Sequence, residues 1–144
     1  MNKPFETSTV PTTRQRLSWH LNANAIGDYY DVQALCELAR SKVKKELEAS
    51  WSSEEFLHLL AEACTTRKTG DIEFFRLLGY IAAQHQEDLV RLEELKELDI
   101  PPAFFMRFVS LSIERVQSLE TIIRDQAMII NPPPVRRRGI GSLR

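Results

Sequence analysis

Apolar residues recur at three- and four-residue steps along most of this chain, and no stretch shows a convincing period-two alternation. That pattern predicts an all-α protein, an irregular bundle of about six helices. Trp19, Leu21 and Ile26 suggest a first helix over 17–26, weakened by Asn22, Asn24 and Gly27. The next runs from Val32 to about Ala49, with Val32, Leu35, Leu38, Ala39, Val43 and Leu47 on one face and Asp31 as the expected N-cap. Arg40, Lys42, Lys44 and Lys45 occupy its polar side. Ser52 and Glu55 have capping-box spacing, and Trp51 is placed to staple onto Phe56. Phe56, Leu59, Leu60, Ala63 and Cys64 then form an apolar face, broken by the polar stretch 65–70.

Asp71 is the expected cap of a helix whose stripe is Phe74, Leu77, Leu78, Ile81, Ala82 and His85. A shorter helical piece is expected over 89–98. Pro101 and Pro102 open the last helix, since proline suits a first helical turn. Phe105, Phe108, Val109, Ser112, Val116, Leu119 and Ile123 run down one of its sides. It can reach Ile130, where Asn131-Pro132-Pro133-Pro134 stops it. The predicted organisation is a flexible Thr/Ser/Pro-rich arm over 1–16, a helical domain over 17–130 and a Pro/Arg-rich tail over 131–144.

Composition changes the picture little: of 144 residues, 43% are hydrophobic and 27% charged, ordinary for one globular domain. No apolar run is long enough to cross a bilayer, and the N-terminus lacks a signal-peptide core. Two cysteines, Cys36 and Cys64, make no disulfide framework, so an intracellular setting, cytoplasmic or nuclear, is expected. The net charge of −1 hides basic ends: Arg136, Arg137, Arg138 and Arg144 carry the tail, and the middle of the chain is acidic. An acidic body argues against a nucleic-acid-binding core, leaving only weak contact through Arg136, Arg137 and Arg138.

The stretch Ala25-Ile26-Gly27-Asp28-Tyr29-Tyr30-Asp31-Val32-Gln33-Ala34-Leu35-Cys36 reads as a helix end, a tight Asp-Tyr-Tyr-Asp turn and a new helix. It resembles the late helical part of fungal BTB/POZ domains, with Asp28, Tyr30, Asp31, Val32, Leu35 and Ala39 at the matching positions. The run Trp51 to Phe56 looks like that family's next helix opening, and the His85 segment is similar to the BACK-like region that comes after it. The resemblance covers about 21–98, with Gly27 in place of the family's usual alanine. The residues before it do not read as strands, so the expectation is a chain lacking the sheet-bearing half of a BTB domain. The resemblance implies a protein-binding adaptor, a truncated substrate adaptor of a cullin-type ubiquitin ligase or a transcription-related BTB protein.

Candidate chemistry is thin. Glu55 and His58 form one Glu-x-x-His, but a di-iron bundle needs a second copy and two more inward carboxylates. Cys36 and Cys64 with His58 or His85 lack zinc-ligand spacing, and Cys64 on an apolar stripe reads as a small buried hydrophobe. Gly139-Ile140-Gly141 is too short to cradle phosphate. No catalytic residue, metal or cofactor is expected. The expected function is a non-enzymatic interaction module that binds other proteins, with self-association as one form. Its candidate contact residues are the aromatics Tyr29, Tyr30, Trp51, Phe56, Phe104 and Phe105. Phe104, Phe105 and Phe108 crowd one helical turn and cannot all face one core, so an exposed remainder would be a contact patch. A small helical metal- or ligand-binding bundle is the alternative.

Overall fold

The computed structural model describes residues 10–66, 68–89 and 96–130. Among them are six helices and no strand: α1 Thr13–Tyr29, α2 Gln33–Ala49, α3 Ser53–Thr66, α4 Ile72–Gln84, α5 Gln86–Leu89 and α6 Pro102–Ile130. The chain divides into two compact units, Met1–Ser110 and Leu111–Arg144. The all-helical expectation holds. Of the expected arm over 1–16, residues 13–16 are helical, and its residues 1–9, the middle of the 89–98 piece and the tail over 131–144, with Arg136–Arg138 and Gly139–Gly141, lie outside the described residues.

α1 starts four residues before the expected position because Thr12 caps it. The Thr12 hydroxyl accepts from the Gln15 backbone N–H at 3.2 Å, and the Gln15 side chain accepts from the Thr12 N–H at 3.0 Å. This reciprocal capping box satisfies two otherwise orphaned donors. At its other end α1 closes in a Schellman motif. The Val32 N–H donates to the Gly27 carbonyl at 2.7 Å and the Asp31 N–H to the Asp28 carbonyl at 3.3 Å. Asp31 takes the left-handed position, φ 55°, that such a motif requires and that glycine usually fills. Asp31 is therefore the terminator of α1 and not the N-cap expected for α2. Val32 caps α2 without a side-chain hydrogen bond.

The turn folds α2 back along α1: Gly27 meets Cys36 near the bend, and Arg16 bonds Glu46 at 2.9 Å far from it. The two helices are thus antiparallel. Glycine is needed at position 27, since a Cβ there would lie 2.9 Å from the Cys36 sulfur and 3.0 Å from its backbone nitrogen. α3 opens on the Ser52 hydroxyl, which accepts from the Glu55 N–H at 3.3 Å. Trp51 packs on Phe56 with ring centroids 5.5 Å apart, as the staple predicts. α4 opens on Asp71, whose carboxylate accepts from the Glu73 N–H at 3.1 Å.

The core of the first unit is built from Leu17 and Leu21 of α1, Val43 and Leu47 of α2, the apolar face of α3, and Phe74, Leu78 and Ile81 of α4. Each such side chain contributes about 1.5–3 kcal/mol through removal from water. The first turns of α6 belong to this core. Gly79 lets the Phe104 backbone approach α4 so closely that a Cβ would fall 2.5 Å from the Phe104 carbonyl oxygen.

One buried polar knot joins the α1–α2 hairpin to the segment before α4. The fully buried Asn24 amide donates to Asp71 at 2.8 Å and to the Cys36 carbonyl at 3.4 Å, and accepts from the Thr69 hydroxyl at 2.6 Å. Arg40 pairs with the same Asp71 carboxylate, and the Gly70 N–H donates to Asp28 at 2.9 Å. Among the described residues no buried side-chain nitrogen or oxygen lacks a partner. A satisfied network of this kind fixes which residues may meet, because any other pairing strands a polar group.

The second unit contributes residues 111–130 of α6. None of the side chains over 111–130 is buried, and Ile113, Val116, Leu119, Ile122, Ile123 and Ile130 are all open to solvent.

Candidate functional site

Glu55 and His58 do not converge on one inward-facing site. Glu55 points at Arg14, whose guanidinium donates to both carboxylate oxygens at 2.9 and 3.3 Å, and His58 lies exposed on the outside of α3. The inward-facing acid-imidazole cluster that a metal bundle requires is not formed by this pair. Among the described residues no three of His, Cys, Asp or Glu come together as a metal site. Cys64 lines a cleft of about 450 Å³ that also holds Asp99. Burial, helped by Asp99, pushes its thiol up to about 11, so it stays protonated near neutrality, the opposite of an activated nucleophile. Cys36 is likewise pushed up, first by burial and then by Asp71.

A second groove, of about 420 Å³, carries Arg40, Lys44, Arg76 and Arg107 on its walls. Its cations are largely engaged by acids: Arg40 by Asp71, Arg76 by Glu73 and Lys44 by Glu48 at 4.0 Å. The groove is a solvated, salt-bridged surface.

The predicted contact aromatics separate into three groups. Phe56 and Phe104 are core side chains, with Phe104 only 3% exposed, and neither offers surface to a partner. The sequence offers them as contact residues on aromatic character, which alone does not say which side of a helix meets the core. Trp51 is half-buried and already committed: its indole stacks on His85 at 3.7 Å, and its N–H donates to Asp88 at 2.9 Å. Tyr29 and Tyr30 remain outside, 80% and 69% exposed, with their rings edge-to-face at 4.9 Å. Phe105 is also exposed, the remainder left over once Phe104 enters the core and Phe108 stacks beside it.

Two apolar surfaces result. The smaller lies on α1, where Trp19, Ile26 and Tyr30 are exposed at spacings that put them on one side of the helix. The larger is the face of α6. Val109 is 47% exposed and Ile130 77%, with Val116, Leu119 and Ile123 between them. A soluble surface rarely leaves so many large aliphatic side chains contiguous and bare. The side expected from the sequence, through Ile123, extends to Ile130. Trp19 and Ile26 are legible as apolar positions but belong to the outer face of α1, while Leu17 and Leu21 take the inner one.

No helix among the described residues is long and apolar enough to cross a membrane. Comparison of the chain with protein-family models, with curated proteins and with solved structures finds no match.

Proposed function

We propose that this chain is a non-enzymatic protein-interaction module, and that the apolar face of α6 is its docking element. The observation carrying this reading is a 29-residue helix with one buried residue, Phe104, and a long row of exposed Val, Leu and Ile. Covering such a row removes apolar area from water at about 25 cal/mol per Å², the main driving force of association. The helix-in-groove and helix-on-helix modes of recognition both use faces of this spacing. The narrower role, an adaptor of a cullin-type ligase or a transcription-related protein in the cytoplasm or nucleus, rests on the resemblance over about 21–98 alone; co-purification with a cullin tests it.

A photo-crosslinking side chain placed at Ile123 in the full chain is expected to form protein adducts in cells. The same group at Gln117, on the outward side of the helix, is expected to form few. Equal yields at both positions, or none at Ile123, would remove α6 as the docking element.

A further inference from the structure

Resting on that docking reading, we infer that the occupant of the α6 face is α6 of a second copy of this chain, joined as a parallel, in-register two-stranded coiled coil. Residues 105, 109, 112, 116, 119, 123, 126 and 130 alternate steps of four and three along α6, nearly four heptads. One set of seam positions, the a positions, is entirely β-branched: Val109, Val116, Ile123 and Ile130. The d positions are Phe105, Ser112, Leu119 and Gln126. β-Branched residues at a favour two strands where leucine stands at d, as it does in the Leu119 layer. Away from the seam Ser110, Glu114, Gln117, Thr121, Arg124 and Asp125 face outward, while the exposed Ile113, Ile122 and Ile129 flank the seam at e and g and widen its apolar strip.

The same register decides the direction. With strands parallel, Ser112 meets Ser112 and Gln126 meets Gln126, so the two polar layers pair with themselves and set the register. Turned end for end at full overlap, Gln126 would face Val109 and Ser112 would face Ile123, burying polar groups against β-branched carbons. The flanking charges agree. Arg115 at g lies five residues before Glu120 at e, the separation at which g and e positions of parallel strands meet. The reversed arrangement sets Arg115 beside Ile122 and Glu120 beside Ile113.

The test is sedimentation equilibrium on the full chain at micromolar concentration, with variants on and off the seam. The expected mass is twice that of one chain, falling to one chain when Leu119→Asp and Ile123→Asp are combined. Met128→Glu, which removes apolar area from the outward side, is expected to leave the dimer intact. Circular dichroism confirms that each variant keeps its helical body. Oxidised Ser112→Cys protein is expected to form a disulfide-linked dimer, because a shared d layer brings Cα atoms within the roughly 4.4–6.8 Å that a disulfide spans. A mixed cross-link between Ser112→Cys and Ile123→Cys chains would instead show antiparallel strands and overturn the proposal, as would a trimer or tetramer. A monomeric wild type overturns it too. If a monomer still gives position-specific adducts with another protein at Ile123, self-pairing falls while the docking reading stands; if it gives none, both fall.

Discussion

α3 with α4 and the stretch 111–130 of α6 are written in the same language, amphipathic helix with large aliphatic side chains on one face, yet they end in opposite places. Phe56, Leu60, Phe74 and Leu78 are wholly buried, whereas none of the side chains over 111–130 is. The difference lies in the neighbours. The apolar faces of α3 and α4 join one core with α1 and α2, while residues 111–130 present theirs to water. Periodicity announces that a helix has a face to cover. It does not announce whether the cover belongs to the same chain.

The sharpest way to break this contrast is truncation on each side of it. Phe74→Ala is expected to cost about 3–5 kcal/mol in urea unfolding, the transfer and cavity cost of a large core side chain. Leu119→Ala, measured in dilute solution where association is minimal, is expected to stay within about 0.5 kcal/mol of the parent. Comparable losses at the two sites would mean that the α6 face is covered within the chain. Next in size, Asn24→Ala removes the hub of the buried polar knot and leaves the Thr69 hydroxyl and Asp71 short of a partner, an expected cost of about 1–3 kcal/mol.

Smaller again is Asp31→Val. A β-branched residue in the left-handed position at the end of α1 is expected to cost about 1–2 kcal/mol. Asp31→Gly should be tolerated, and urea midpoints for the pair separate backbone strain from loss of the carboxylate. The mildest effect is on pH. The Cys64 thiol is raised from 9.0 to about 11 in the folded chain, so the folded state holds that proton more tightly than the unfolded one. Its contribution to stability is whole below about pH 9 and is lost as pH climbs through the folded value. Cys64→Ala is expected to flatten that alkaline limb of the stability profile.

Where a signal in the chain is local, the sequence can be read directly. The Asp71 cap, the Trp51–Phe56 staple, and the bounds of α6 at Pro102 and Ile130 all follow from neighbours within a few residues. Asp31 misleads because an Asp before a helix ordinarily caps it. Only the backbone shows that the residue closes the preceding helix in a left-handed turn. The start of α1 escapes a sequence reading although Thr12 and Gln15 have capping-box spacing, since the surrounding Thr and Pro read as loop. Phe104 and Phe105 illustrate the deeper limit. They are adjacent in sequence, and which one enters the core depends on the close approach that Gly79 permits. The candidate site is legible in the same partial way: its apolar spacing is written in the chain, its exposure is not.

The packing of Trp51 makes the protein its own optical gauge. Of the two tryptophans, Trp19 is already 56% exposed, so its emission should change less than that of Trp51 when the chain opens. Trp51 lies flat on an imidazole where the α2–α3 connection meets the end of α4, and light from that ring should register the first loosening there without any attached dye.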